Sequence, residues 1–520
     1  MASDVRQEGP GAAQLGEHRL SFFDAVAQSI GFMGPVFGAA FLTFLVAGAG
    51  NAGKGAGAAT PLAILFALIG MGAIAWMVAV FARRIRAAGS LYDYVTYAFG
   101  NHAGFVAGWI YYLGVLILAV NAILFMGGLL SDYLAGFYKI SVPYWILGLV
   151  IIAGLFPLLY FGVKISTRSQ LFLAGTSMIL VLAFAISIII NGGPQGNTIK
   201  PFTVGAADQG WSGIFFGLLY AILIFTGFET AANLAEETRD PRRNIPRAVL
   251  WALGLVGVYF LVITYSYSIG LGLNGKAWAQ DPAVLITLGS SPQYGSSLIA
   301  KGLFAIALAD LAAVCLGCTV ACSHGLFALA RDRRLPKGLA RSSPRFGTPS
   351  VGIVVTLLLA AALIVVTRLT NGEWFGAFHP TQFKLEEFFP VFLWLAGLGS
   401  FCLVAVYLAI SVGGLFKLWG KENKVGLAIA GLVGLAVSVG AIFGTVYKAP
   451  KIPARADTLW IAMLVWFVLG LLWLAGLVAT RRLQPAYSTL AEPVTPAPAQ
   501  AVPAAPPPPV PPPAGPWMEP

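Results

Sequence analysis

Charge is what this chain has least of. Asp, Glu, Lys and Arg make up 10% of its 520 residues, against the roughly 25% usual in soluble domains. With 58% apolar residues and a mean hydropathy of +0.81, a disordered or fibrous chain is excluded. A soluble fold would need many more polar helices to wrap so much apolar chain. Cysteine is scarce as well. Cys315, Cys318, Cys322 and Cys402 all lie inside apolar runs, which speaks against a disulfide framework. The phosphate-binding loop of ATP-driven machines is missing, so an ion or solute gradient is the expected energy source. The net charge of +11 comes from 32 Lys+Arg against 21 Asp+Glu. The basic residues fall mostly in short gaps between apolar runs, so membrane topology accounts for them and nucleic-acid binding does not.

What is present is a series of long uncharged intervals. Asp24 to Lys54 encloses 29 uncharged residues, Asp93 to Asp132 encloses 38, and Arg168 to Lys200 encloses 31. A helix needs about 20 residues to cross the hydrocarbon core. Twelve spans are predicted, near 25–48, 61–82, 102–131, 143–162, 169–190, 211–235, 247–270, 298–329, 350–367, 388–416, 425–446 and 458–480. Barrel strands would be shorter and alternating. With the N-terminus inside, 22 basic residues fall on the cytoplasmic side and 10 on the other, which predicts a multi-pass cell-membrane protein with both termini in the cytoplasm. Residues 1–20 are expected to form a cytoplasmic tail without a cleavable signal. Residues 21–480 form the twelve-helix unit, and 481–520 a Pro-rich, extended cytoplasmic tail.

Two spans are interrupted. The first reads Gly31-Phe32-Met33-Gly34-Pro35. Proline removes a donor, and glycine lets other groups approach the backbone. A break of this kind is either a solute or ion site or a proline kink with tight packing. The sixth reads Phe225-Thr226-Gly227-Phe228-Glu229. A carboxyl group within the bilayer must be paired, protonated or beside water, so Glu229 is a coupling or gating candidate, or a packing group that bonds broken backbone. Breaks in spans one and six suit two inverted halves of five helices. Asp310 either lines a polar path or caps and pairs locally, with Lys301 nine residues before it. Cys315, Cys318 and Cys322 share one helical face without a fourth ligand, so packing is favoured over zinc. No metal or cofactor is expected. His324 is read as a hydrogen-bonded structural residue or a proton carrier. The loops at 83–94 and 236–247 suit a water-facing hinge with interhelix salt bridges, Asp240-Pro241 forming a turn and Pro246 opening the seventh helix.

These motifs resemble the amino acid–polyamine–organocation permeases, particularly their bacterial amino acid permease branch. The resemblance covers about 20–480. It rests on the Gly31–Pro35 break, on Gly89, Tyr92 and Tyr94, and on Gly227-Phe228-Glu229. It continues through Glu236-Glu237, Asp240-Pro241-Arg242, Ile245-Pro246, Ala330-Arg331-Asp332, Leu335-Pro336 and Thr348-Pro349. It implies an all-α polytopic fold of 12 transmembrane helices: a 5+5 inverted repeat with discontinuous helices 1 and 6, plus two extra helices. It also implies a small-molecule substrate, an amino acid or related amine, imported by alternating access, with H+ or Na+ as coupling ion. The substrate carboxylate would meet N–H groups near Gly31, Phe32, Met33 and Gly34. The ammonium would meet carbonyls around Phe225, Thr226 and Gly227, with Phe225 and Phe228 closing over it. Some proton-coupled relatives carry a lysine in span five. This chain has none from Gln170 to Asn191, where Thr176 and Ser177 offer oxygens instead. The alternatives are a polyamine or ethanolamine permease and, in another class, a non-transporting substrate sensor.

Overall fold

The computed structural model describes residues 20–48, 55–372, 388–446 and 455–480, together with 483 and 486. The expected tails at 1–20 and 481–520 therefore fall almost wholly outside the described residues. The chain opens as three short helices, α1 (Phe22–Met33), α2 (Pro35–Phe41) and α3 (Thr43–Ala47). α4 (Thr60–Ala82), α5 (Leu91–Phe99) and α6 (Asn101–Tyr133) follow, and then α7 (Tyr144–Tyr160), α8 (Val163–Asn191) and α9 (Gly210–Leu223). After α9 comes a 3-10 helix, Phe228–Leu234. α10 (Pro241–Gly270), two short connecting helices α11 (Gly275–Gln280) and α12 (Val284–Ser290), and α13 (Ser297–Arg331) come next. The last four are α14 (Ser350–Thr370), α15 (Phe389–Lys417), α16 (Lys424–Val446) and α17 (Leu459–Ala479).

Among the described residues, ten helical runs are long and apolar enough to cross a bilayer. The other two expected spans fall on the broken run Phe22–Ala47 and on α7, which has 17 residues. Large apolar side chains face outward along these helices: Phe172 is 71% exposed, Ile190 78% and Leu369 77%. In water such a surface would drive aggregation, whereas in lipid it is the required exterior. The chain is an all-α polytopic membrane protein.

Packing places α6 and α13 at the centre. α13 lies against α6, α8 and α1, while α15 lies along α6 and α10 along α4. α17 is peripheral, with Leu459, Gly470 and Leu477 its buried residues. It docks through a reciprocal pair. Trp109 Nε1 donates to the Trp466 carbonyl at 3.0 Å, Trp466 Nε1 donates to the Trp109 carbonyl at 3.1 Å, and the rings stack 4.6 Å apart.

Local chemistry explains the helix ends. Ser21 and Asp24 form a reciprocal capping box at the start of α1. The seventh span starts earlier than expected. Pro241 takes the first helical position after Asp240, and Pro246 lies inside α10. The N–H that Pro241 lacks has no partner in a first turn anyway, so the earlier proline is the natural start.

Candidate functional site

Both interrupted segments are broken, and they meet. α1 ends at Gly34, whose left-handed backbone (φ +58°) turns the chain directly into α2 at Pro35. α9 ends at Leu223, and a turn leads through Gly227 (φ +106°) into the 3-10 helix. A Cβ on Gly227 would collide with the ring of Phe32, so glycine sets both the turn and the approach of the two segments. Side chains of α1 then bond the 3-10 helix. Ser29 Oγ donates to the Phe228 carbonyl at 2.6 Å and accepts from Ala231 N–H at 3.1 Å.

Glu229 is fully buried and accepts three hydrogen bonds. They come from the hydroxyls of Tyr111 (3.1 Å) and Tyr407 (2.8 Å) and from the Gly227 N–H (3.2 Å). It thereby ties the second break to α6 and α15. Asp310 on α13 serves the first break. Its Oδ2 accepts from the N–H groups of Val36 (2.9 Å) and Phe37 (2.8 Å), the first free donors of α2. Lys301 is not its partner, since that ammonium group lies over the rings of Phe137 and Tyr138.

A small cavity of about 60 Å³ lies beside the breaks. Of the ten residues singled out in the sequence, Phe32, Met33 and Thr226 line it. Gly31, Gly34, Phe225, Gly227 and Phe228 shape the breaks behind the wall, and Glu229 and Asp310 brace them. Phe225 packs on Phe260, and Phe228 on Tyr407. The aromatic rings in the wall are those of Phe32, Phe37 and Phe392. Sequence reasoning also missed Asn121, Val314 and Cys318, which line the same space from α6 and α13.

The fifth span contributes differently from expectation. Thr176 is exposed on the outer surface, and Ser177 donates to the Ile306 carbonyl at 3.1 Å. Helical spacing turns Thr176 away from α1, and Gln170 and Thr167 face it instead. Gln170 Nε2 reaches Gln28 Oε1 at 3.3 Å, and Thr167 Oγ1 donates to Asp24 Oδ1 at 2.9 Å.

The end of the bundle that holds the start of α1 is closed by hydrogen bonds. Leu20 N–H donates to the Glu237 carbonyl, and Arg239 N–H donates to the Leu20 carbonyl. Arg331 pairs with Glu236 at 2.9 Å, and the same carboxylate accepts from Ala88 N–H. Tyr92 donates to Asp332 at 2.8 Å. His324 Nε2 lies 2.6 Å from Glu237 Oε1, while its Nδ1 lies 2.8 Å from the Val320 carbonyl. A carbonyl only accepts, so Nδ1 carries a proton, and the Nε2–Oε1 contact must hold a second one. Both loops noted in the sequence, at 83–94 and 236–247, converge on this face together with the end of α13. Among the described residues no group of three or more His, Cys, Asp or Glu side chains is placed to hold a metal ion.

Comparison with known proteins agrees with this architecture. The family described as amino acid permease matches residues 20–473. An uncharacterized transporter of Mycobacterium tuberculosis is 27% identical over 368 residues, 69% of this chain and 76% of that protein. A second uncharacterized transporter of the same species is 29% identical over 348 residues, 61% of this chain and 68% of the relative. The aromatic amino acid transport protein AroP of Escherichia coli O6:H1 is 25% identical over 301 residues, 56% of this chain and 62% of that protein. With a family match that runs through nearly every helix and takes in both breaks, the chain belongs to the amino acid permeases, a family of membrane transporters and not of enzymes.

Proposed function

We propose that the protein is a secondary active transporter that imports a small amine-bearing solute, an amino acid or a related amine, driven by a proton gradient. The carrying observation is the meeting of two broken helical segments beside one cavity, at Phe32 and Gly227. Broken helices expose backbone groups at membrane depth, where those groups must be satisfied by protein, water or a bound solute. The residues assigned to the solute are Gly31, Phe32, Met33 and Gly34 in the first segment and Phe225, Thr226, Gly227 and Phe228 in the second. Glu229 and Asp310 are assigned to coupling and gating, as protonatable groups that each hold one break in shape. An apolar solute body suits the rings of Phe32, Phe37 and Phe392, and one relative is named for aromatic amino acids.

Alternating access on this reading rocks the broken pair against α6, α8 and α13. Twelve crossings, arranged as a five-plus-five inverted repeat with α16 and α17 as additions, place both termini in the cytoplasm. The hydrogen-bonded face is then the closed cytoplasmic gate. Uptake of radiolabelled amino acids and amines into proteoliposomes, with proton and sodium gradients imposed separately, tests the proposal. Accumulation under a proton gradient is expected. Binding without accumulation under any gradient would favour a sensor.

A further inference from the structure

An unbroken helix would pair the carbonyls of Gly31, Phe32 and Met33 with the N–H groups of residues 35, 36 and 37. Pro35 has no N–H, and those of Val36 and Phe37 turn to Asp310. The break therefore frees two donors and three acceptors, and Asp310 takes both donors. The N–H groups of Phe32 and Met33 belong to the helical ladder of α1, and that of Gly34 bonds the Ile30 carbonyl. What remains at the break is acceptors, at the negative end of the α1 dipole.

The cavity wall has the same bias. Asn121 turns its amide nitrogen to the Phe392 carbonyl at 3.0 Å. That leaves Oδ1 as the free acceptor. It is buried, on a side chain 1% exposed, and has no partner among the described residues. Thr226 spends its hydroxyl proton on the Leu223 carbonyl at 2.7 Å, leaving lone pairs. No Lys, Arg or His is among the lining residues. No Asp or Glu lines it either, so neither charged end of a solute meets a counter-charge there. A solute carboxylate would in addition find the Val36 and Phe37 N–H groups already bound. An ammonium group would find acceptors, and the surrounding rings would take an apolar body. A second ammonium group would meet apolar wall.

Resting on the cavity as the solute site, we infer that Asp310 is a specificity-determining residue. It is a resident carboxylate that holds the donors a substrate carboxylate would need, and so selects apolar monoamines over the corresponding α-amino acids. Cys318 lines the cavity, so its alkylation reports occupancy independently of transport. The test uses the full-length protein in proteoliposomes, with Cys318 modification read by mass spectrometry. The probes are leucine against isoamylamine and phenylalanine against phenethylamine, each pair sharing one side chain. The expected result is half-protection by each amine at a concentration at least about tenfold lower than its amino acid. Asp310→Ala, which releases the Val36 and Phe37 N–H groups, should shift that ratio toward the amino acid by about tenfold or more. If this variant does not fold, the wild-type ratio decides. Protection by the amino acids equal to or better than by the amines overturns the selectivity and leaves the cavity as the solute site. Protection by none of the four overturns both.

Discussion

The ring of Phe32 lies against the bare α-carbon of Gly227, so that the two broken segments touch at the one residue that has no side chain to part them. Gly227 also sits at φ +106°, where a Cβ is strained. Gly227→Ala is expected to lose about 2–4 kcal/mol from strain and overpacking together, and to abolish uptake. Gly254→Ala is the control, since nothing lies within 4 Å of a Cβ there. Thermal denaturation of the purified proteins checks this, and equal midpoints for Gly227→Ala and wild type would contradict it.

Glu229 accepts from two tyrosine hydroxyls and one backbone N–H. A glutamine would set an NH2 donor against one of those donors, at a cost of about 1–3 kcal/mol. Glu229→Gln should cut uptake by about tenfold or more at unchanged membrane abundance. Tyr407→Phe, which removes one donor and adds none, should have a smaller effect. Uptake by Glu229→Gln equal to wild type would remove Glu229 from any coupling role.

The buried contact of His324 with Glu237 closes one face of the bundle. Glu237→Ala strands the imidazole, and breaking a buried pair costs about 3–5 kcal/mol. The closed arrangement should lose population, so alkylation of Cys322, on the turn before His324 and fully buried, should quicken. Adding His324→Ala to Glu237→Ala should restore part of the protection. An unchanged Cys322 rate in Glu237→Ala would show that the pair does not hold the gate.

Trp466→Ala removes the stacked ring and the bond its indole donates to the Trp109 carbonyl, while Trp109 keeps the carbonyl of residue 466 as acceptor. It should lower stability by about 3–5 kcal/mol yet leave uptake per folded molecule near wild type, because α17 lies outside the cavity wall. Loss of uptake at full folding would make α17 part of the transport unit.

The breaks were legible because proline and glycine act locally. Pro35 removes a donor and Gly34 supplies the turn, whatever packs around them. The partners were not. Asp310 reaches Val36 across 274 positions, and an aspartate in a long apolar run carries no mark of the helix it caps. Asn121 is the one amide in the interior of a 33-residue apolar helix that begins at Asn101, and only its register on α6 turns it to the cavity. The expectation that Phe225 and Phe228 would cover a solute came from the family resemblance. In this structure their rings pack on Phe260 and Tyr407. The loop charges were readable as a hinge, but their joining into one face depends on the lengths of α5, α10 and α13.

The most direct measurement is uptake after complete alkylation of Cys318, with Cys315, Cys322 and Cys402 replaced by alanine. A solute that passes between the broken segments must share space with Cys318. Full modification should abolish accumulation in proteoliposomes, and saturating solute should slow the modification itself. Undiminished uptake by fully alkylated protein would place the transport route elsewhere in the molecule.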